Sequence, residues 1–330
     1  MRVSNRKIKI SFIVIALLIL IVTILVSLKL GSINITFKEL ISGLFSSQAD
    51  GNIGIIKDLR MPRVIIAVLV GANLAISGVL LQSVIRNPLA DPYITGISSG
   101  ACLVTVFFMV FLPSVTTLRP IFGFLGGLVC CVIIYCMAYK KGLSPIRIVL
   151  AGAACNALLG GFSSMITVSA GLGATNIQKW MMGSLATVNW SNVHILLGYS
   201  IVGIIVALIL SKVCNILALG SKNAKSLGFD TDMYMIIVTA VAVFLASIST
   251  AIAGIISFVG LVVPHICRII IGSDHKYLIP CSGIVGGLLV LFADTIGRMA
   301  MRPNEIPVGV VTSILGAPFF LYLLRRSDLK

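Results

Sequence analysis

The sequence predicts an all-α polytopic membrane protein with ten transmembrane helices in a compact bundle. The 330 residues are 58% hydrophobic and only 11% charged, with a mean hydropathy of +1.11. A water-soluble domain cannot hide that much apolar surface. The chain is also divided into charge-free runs, and one helical crossing of a bilayer core needs roughly 20 apolar residues.

Each predicted crossing corresponds to one apolar run or to part of one. The run over residues 233–264 is too long for a single helix, and with Gly254 and Pro264 as breakers it is predicted to hold one helix and much of the next. Runs that exceed one crossing are predicted to include uncharged loops. In chain order the runs cover residues 10–28, 64–85, 92–118, 120–139, 148–178, 180–211, 233–264, 277–293 and 306–324.

Basic residues in the short connections predict the orientation. If the N-terminus is cytoplasmic, the connections on the inner side carry the majority of the 25 lysines and arginines. Ten crossings then leave the C-terminus cytoplasmic as well. The first apolar run is predicted to be a retained helix, because no small-residue cleavage site follows it. The net charge of +15 therefore requires no nucleic acid partner.

The chain lacks the patterns of a catalytic, metal or nucleotide site. Its eight cysteines show no CxxC spacing, its three histidines are scattered, and it contains no G-x-x-x-x-G-K-[ST] stretch. We expect no catalytic residue, no metal and no cofactor in this chain, and any energy from ATP must come through another subunit. An ion-coupled transporter would be expected to carry acidic groups at the bilayer midplane, whereas Asp294 lies toward the outer end of its run, close to Arg298.

Three polar interruptions break the apolar pattern. The first, "DLRMPR" at residues 58–63, places Arg60 and Arg63 on the outer side, together with Arg298 and Arg302. These arginines either extend to lipid headgroups or receive carboxylates of an extracellular protein.

The other two interruptions lie on the predicted inner side. "RNPLADP", residues 86–92, contains two X-Pro pairs that favour a turn. Residues 219–233 form the most polar internal stretch, in which residues 223–227 are predicted to form a short helix ended by Gly228 in a left-handed cap. This stretch is either a contact for a cytoplasmic partner or a solvated loop. A weak internal repeat relates Gly78 and Arg86 to Gly260 and Arg268.

Longer blocks of the sequence carry a family resemblance. They read "LRMPRVIIAVLVGANLAISGVLLQSVIRNPLADPYITGISSGA", "GIISFVGLVVPHICRIIIGSDHKYLIP", "DTIGR" and "EIPVGVVTSILGAPFFLYLL". These blocks resemble the signatures of the FecCD family, the iron-siderophore, haem and cobalamin permeases of type II ABC importers. The resemblance runs essentially from end to end, and "WMMGSLATVNW" is similar as well. It implies one permease domain over residues 1–330, with the weak repeat covering about residues 60–180 and 230–324.

The resemblance also implies partners and roles. The partners are a second permease, identical or homologous, two cytoplasmic ATP-binding subunits and an extracytoplasmic substrate-binding protein, in the bacterial cell membrane. The implied docking residues are Arg60, Arg63 and Arg298. The implied residues for ATPase coupling are Asn223, Ala224, Lys225, Ser226, Leu227 and Gly228. The implied cytoplasmic gate consists of Asn87, Leu89, Pro145 and Ile146.

The expected activity is transport by alternating access, without covalent change of the cargo. Within the family a ferric siderophore is the expected cargo, with haem second and cobalamin third. Pro145 and Ile146 differ from the small hydroxyl residues of the cobalamin member, which argues against cobalamin and weakens their assignment to the gate.

Overall fold

The computed structural model describes residues 6–30, 52–139, 145–226 and 228–326, and within these ranges the chain is built of helices. A π-helical turn, Ile56–Arg60, joins α2 to α3. The α-helices are α1 (Arg6–Lys29), α2 (Asn52–Ile55), α3 (Met61–Ile85), α4 (Ile97–Phe111), α5 (Arg119–Ala138), α6 (Pro145–Ser169), α7 (Ala174–Met181), α8 (Trp190–Ile209), α9 (Ser211–Ala218), α10 (Ser221–Ser226), α11 (Thr231–Ala253), α12 (Val259–Ile271), α13 (His275–Ala300) and α14 (Val308–Arg326).

The predicted all-α membrane fold is confirmed. In the ranges given above, seven helices are long and apolar enough to cross a membrane, namely α1, the helix through Ile56–Ile85, α5, α6, α8, α11 and α13. Helices α4, α12 and α14 are apolar but shorter. With 15 residues, α4 is about 22 Å long, less than the thickness of a bilayer core. The count of ten crossings and the cytoplasmic termini stay predictions.

The long apolar run over residues 233–264 divides into two helices, as predicted, but only one of the two predicted breakers acts. Gly254 ends α11 with a φ of 72°. Pro264 lies inside α12, so its prediction as a breaker is wrong. Proline leaves the carbonyl four residues earlier without its helical donor. Here that carbonyl, on Gly260, accepts a hydrogen bond of 3.2 Å from Nε2 of Gln82 on α3, so the helix continues.

Three backbone hydrogen bonds connect the break between α11 and α12, the end of α7 with the segment after it, and the start of α14. The Ser184 amide donates to the Ala253 carbonyl at 2.9 Å, and the Ile255 amide donates to Met181 at 3.4 Å. The Gly309 amide, just inside α14, donates to Gly183 at 3.1 Å. Non-helical backbone is tolerated in a membrane protein where it is buried in protein, and these bonds satisfy that condition.

Helix α3 forms the centre of the bundle. It packs against α13, α11, α12 and α8. In the apolar window of the span Ile56–Ile85, 78% of the residues are buried, against 17% for α1 and for α6. The polar side chains on α3 are buried and bonded: Asn73 donates to Ser200 at 2.7 Å, and Ser77 donates to the Ala242 carbonyl at 2.6 Å.

Two pairs of glycines bring α3 into backbone contact with its neighbours. A Cβ atom on Gly71 would lie 2.1 Å from the carbonyl oxygen of Gly286 on α13. A Cβ atom on Gly78 would lie 2.0 Å from the carbonyl oxygen of Gly260 on α12. Lipid tails are as apolar as leucine, so close packing of small residues replaces the hydrophobic effect between such helices.

We expect Gly71→Ala to lower the free energy of unfolding by about 1–3 kcal/mol, because the added methyl group meets backbone that cannot move aside. Gly198→Ala in α8 is the matched control, since a Cβ atom there meets nothing within 4 Å. Thermal unfolding of both variants in detergent measures the difference. Equal stability of the two variants would contradict the close contact of α3 and α13.

Candidate functional site: the outer charge cluster and the inner loops

A cluster of charged side chains joins the start of α3 to the end of α13; it is here called the outer cluster, because the sequence predicts that this side faces outward. Arg63 donates through Nε to both carboxylate oxygens of Asp294 at 3.0 Å, and through Nη2 to Oδ1 at 2.9 Å. Its Nη1 reaches Oε2 of Glu305 at 2.8 Å. Arg298, one turn after Asp294, places Nε 3.2 Å from Oδ2 of that carboxylate. Asp294 is only 2% exposed, so two cations compensate one buried charge.

The same cluster binds the C-terminal end of α1. Arg298 donates through Nη2 to the hydroxyl of Ser27 at 2.6 Å and to the Ser27 carbonyl at 3.2 Å. Arg60 donates through Nη1 to the carbonyls of Leu28 at 2.8 Å and Lys29 at 3.2 Å. The last carbonyls of a helix lack internal partners and carry partial negative charge, so these two cations stabilise the end of α1.

The structure brings together the three arginines predicted for docking and gives each of them a partner within the chain. The side chains of Arg63 and Arg298 are 11% and 10% exposed, whereas the side chain of Glu305 is 41% exposed. Glu305 is therefore the accessible carboxylate of the cluster. Its contact with Arg63 spans 242 residues and carries no signal in the sequence. The docking role of the arginines stays a prediction.

We expect Asp294→Asn to lower the free energy of unfolding by about 3–5 kcal/mol, because it leaves two buried guanidinium groups short of a counter-charge. Glu305→Gln removes the exposed carboxylate of the same cluster and should cost at most about 1 kcal/mol. Unfolding of the two variants in detergent tests the ranking. A cost for Asp294→Asn as small as that for Glu305→Gln would contradict the structural role of the buried pair.

The predicted gate residues Asn87 and Leu89 lie in an ordered loop between α3 and α4, here called the inner loop (residues 86–96). Oδ1 of Asn87 accepts from the Leu89 amide at 2.9 Å, and Oδ1 of Asp91 accepts from the Tyr93 amide at 2.8 Å. Asn156 on α6 donates to the Tyr93 carbonyl at 2.9 Å. Two Asx turns and one contact from α6 therefore hold this loop.

Gln82 ties the inner loop to α12. Its Nε2 donates to the Gly260 carbonyl at 3.2 Å and lies 3.4 Å from the Ala90 carbonyl. Its Oε1 accepts from Nη2 of Arg268 at 2.7 Å. The two segments of the predicted internal repeat therefore pack directly on each other, through Gly78 against Gly260 and through Gln82 against Arg268. The sequence interpretation missed Gln82, although it is a polar residue inside an apolar run.

Asp91 is a buried acid in the inner loop, 2% exposed, with Oδ2 beside Gly260. Burial raises the pKa of its carboxyl group to about 6. Hydrogen bonds from the amides of Tyr93 and Ile94 lower the pKa, but their effect is smaller than that of burial. Because the folded-state pKa is above that of the unfolded chain, the folded state holds this proton more tightly. The resulting stabilisation is complete below about pH 4 and is lost as the pH rises through about 6.

We expect Asp91→Asn to remove this pH dependence, because asparagine keeps the acceptor Oδ1 and cannot ionise. Between pH 4 and pH 7 the wild-type protein should lose on the order of 3 kcal/mol more unfolding free energy than the variant. Unfolding in detergent across this pH range measures the difference. Parallel pH profiles for the two proteins would show that Asp91 keeps an ordinary pKa.

The second pair of predicted gate residues lies at the start of α6. Pro145 is the first residue of this helix, and the Ile146 side chain is 72% exposed. The residues just before them, Leu143 and Ser144, lie outside the described residues. An apolar side chain this exposed is available for a contact outside the chain.

The residues predicted for coupling follow α9 and form the short helix α10. The helix begins at Ser221, two residues earlier than predicted, and ends at Ser226. Gly228 has a φ of 74°, so its predicted left-handed conformation is confirmed. Leu227 lies outside the described residues.

The helix α10 is anchored on one side and open on the other. The Asn223 side chain donates to the Leu219 carbonyl at 3.0 Å, and Ala224 is fully buried, whereas Ser226 is exposed. Gly220, just before the helix, has a φ of 96°, and a Cβ atom there would lie 3.1 Å from Nη1 of Arg86. The predicted coupling segment therefore adjoins the inner loop.

In the part of the chain that the structure describes, no three histidine, cysteine, aspartate or glutamate side chains form a group that could hold a metal ion. The eight cysteines are free thiols, and most of them are buried. Buried thiols surrounded by apolar groups behave as small hydrophobic residues.

Comparison with known proteins places these features in a family. The sequence profile of the FecCD transport family matches residues 19–326. The chain belongs to the FecCD transport family. It is 37% identical over 314 residues to the "Fe(3+)-citrate import system permease protein YfmD" of Bacillus subtilis (strain 168), covering 95% of this chain and 94% of the relative. It is also 37% identical over 328 residues to the "Probable heme-iron transport system permease protein IsdF" of Staphylococcus aureus (strain Newman), covering 99% of each.

Solved structures support the same assignment. An inward-facing conformation of a metal-chelate type ABC transporter superposes with a TM-score of 0.81 at 29% identity, covering 98% of this chain and 100% of that chain. PsaBC from Streptococcus pneumoniae has a TM-score of 0.63 at 18% identity, which shows a shared fold. The FecCD chain described here is thus a multi-pass membrane permease subunit of an ABC transporter, without enzyme activity of its own, and ATP hydrolysis belongs to a separate subunit.

Proposed function

We propose that this permease imports a ferric siderophore across the bacterial inner or plasma membrane by alternating access. The observation that carries the proposal is the match to the FecCD family over residues 19–326, together with a relative named for Fe(3+)-citrate import. Ferric citrate and ferric siderophores share one chemistry, a ferric ion held by oxygen ligands of an organic chelator. ATP binding closes the ATPases, and the coupling helices pass this motion to the permease, which alternates between outward-facing and inward-facing states by rigid-body movement.

The outer cluster is the proposed docking site for the substrate-binding protein. Arg63 already binds two carboxylates in a fork, and one of them, Glu305, is the exposed partner. We propose that a carboxylate of the binding protein takes the place of Glu305 on Arg63, while Asp294 stays bound. Arg60 and Arg298 hold the end of α1 and add positive charge behind this contact. Because that charge attracts an acidic partner without binding it directly, we propose that it acts mainly on the rate and register of docking.

The inner face supplies the proposed contacts with the ATPases and the gate. Helix α10 and Gly228 are proposed to enter a groove of the ATPase, as coupling helices of the family do. Asn87 and Leu89 in the inner loop, with Pro145 and Ile146 at the start of α6, are proposed to close the cytoplasmic end of the pathway. A second permease, identical or homologous, completes that pathway, and two ATP-binding subunits drive it.

Haem is the second candidate cargo. Its support is the relative named for haem-iron transport, which is 37% identical over 99% of this chain. Cobalamin is the third, and the residues at Pro145 and Ile146 disfavour it. Each of these cargoes predicts the same subunit architecture, so only direct transport separates them.

The permease, reconstituted in vesicles with its ATPase subunits and binding protein, should accumulate ⁵⁵Fe from a ferric hydroxamate or ferric citrate only when ATP is present. Haem and cyanocobalamin, offered to the same vesicles, should accumulate at least about tenfold more slowly, the equivalent of 1.4 kcal/mol of discrimination. Rapid filtration and counting measure the uptake.

Two controls accompany this measurement. Deletion of residues 222–228 should abolish uptake while the permease still assembles in the membrane, because it removes the proposed ATPase contact. Vesicles that contain the permease without ATPase subunits should be inactive. Faster uptake of haem than of either ferric chelate would overturn the cargo assignment, and uptake without the ATPase subunits would overturn the importer mechanism.

A further inference from the structure

Asn215, on α9, makes three hydrogen bonds to the beginning of α13. Its Oδ1 accepts from the His275 amide at 2.9 Å and lies 2.7 Å from Nδ1 of the same histidine. Its Nδ2 donates to Oδ1 of Asp274 at 3.0 Å. A single amide side chain thus serves as acceptor and donor at the first turn of a transmembrane helix, an arrangement that neither a carboxylate nor an apolar side chain can reproduce.

Asp274 is the N-cap of α13, and its side chain also accepts from the Lys276 amide at 3.1 Å. Burial favours the protonated form, but the hydrogen bonds from Asn215 and from the Lys276 amide, together with the nearby charges of Lys9 and His275, hold the pKa of Asp274 below its usual value. The carboxylate is therefore ionised at neutral pH, and the contact with Asn215 is a charge-assisted hydrogen bond.

The position of Asn215 connects two regions of the inner face. It lies within α9, and two residues, Leu219 and Gly220, separate the end of that helix from α10, the proposed coupling helix. Movement of α10 therefore reaches Asn215 through less than three turns of chain.

Helix α13 extends from this contact to the outer cluster. It is one continuous helix of 26 residues, with His275 at its start and Asp294 near its end. The two residues are about 29 Å apart along the axis. Backbone contact between Gly286 and Gly71 keeps α13 against α3 midway, and Asp294 binds Arg63 of α3 at the outer end. A displacement of the first turn of α13 would therefore move α13 and α3 as one unit, and with them the whole docking cluster.

We propose that Asn215 is a positioning residue that couples the movement of α10 to α13, and through α13 to the outer docking cluster. The inference rests on the proposed function of α10 as the contact with the ATPase. It assigns to Asn215 no contact with cargo or nucleotide. Substitution of Asn215 should uncouple ATP hydrolysis from transport while the permease and the ATPase subunits stay assembled.

The test uses the complete complex in vesicles, with ⁵⁵Fe-citrate as cargo, and measures iron transported per ATP hydrolysed and the stimulation of ATP hydrolysis by the binding protein. Asn215→Leu removes all three hydrogen bonds and should lower the transported iron per ATP about tenfold, the equivalent of one hydrogen bond to a charged group. Basal ATP hydrolysis should be unchanged. Asn176→Leu, the same substitution at an exposed position of α7, should leave both quantities unchanged.

A swapped pair of residues separates positioning from folding. Asn215→Asp should be uncoupled, because it places a carboxylate against Asp274. Adding Asp274→Asn removes this repulsion and supplies an amide donor for the carboxylate at position 215, but the atom that donates can no longer accept from the Lys276 amide. The double variant should therefore recover part of the iron transported per ATP. Recovery is not expected if Asn215→Asp acts through a disturbed fold.

Three results would overturn the inference. One is a wild-type ratio of iron to ATP in Asn215→Leu. Another is a parallel loss of assembly, basal hydrolysis and transport in Asn215→Leu, Asn215→Asp and the double variant, which would mark Asn215 as structural. The third is a wild-type complex without ATP-dependent uptake or stimulation, which would contradict the proposed function and the inference together. The first two leave the proposed function standing.

Discussion

The contact between α3 and α13 at Gly71 and Gly286 is the constraint on which the rest of the bundle depends. Two helices that touch backbone to backbone have little freedom to slide or rotate, because the carbonyl oxygens of one lie in the space that side chains of the other would occupy. In a bilayer this matters more than in water, since apolar side chains gain little by leaving lipid for protein. This crossing therefore fixes the positions of the residues that bind α3 and α13 near both membrane faces.

Polar side chains make the irregular parts of the bundle possible. Gln82 supplies the donor that Pro264 lacks, and so a helix with an internal proline continues to the inner face. At the break between α11 and α12, the Ala253 carbonyl and the Ile255 amide hydrogen-bond to backbone at the end of α7 and just after it. Each such bond contributes little to the net free energy of folding, but the same groups left unpaired in a membrane interior would cost several kcal/mol. The bundle therefore tolerates a short helix or a helix break only where a neighbouring residue supplies the missing hydrogen bond.

The sequence was sufficient for the features that depend on local composition. Apolar runs predicted the helices because bilayer thickness sets their length, and Gly254 predicted a break because glycine adopts a positive φ without strain. Gly228 was predicted for the same reason. Pro264 was misread because its compensating donor, Gln82, comes from another helix. The grouping of Arg60, Arg63 and Arg298 on one side followed from the order of the crossings, but their pairing with Glu305 and Ser27 depends on tertiary packing. Asn215 is one polar residue in an amphipathic stretch and has no signature before the fold brings it to α13.

The attachment of α1 has a consequence for how the chain is made. This helix is among the least buried of the membrane helices, and its C-terminal end is held by Arg60 and Arg298. During synthesis α1 emerges before the other helices described here, and the arginine that bonds Ser27 is added 271 residues after it. In that interval Arg60 is the arginine available to hold the end of α1, and the apolar length of α1 must keep it in the membrane. Its final attachment therefore waits until nearly the whole chain has entered the membrane, so that a chain truncated before α13 leaves α1 without this anchor.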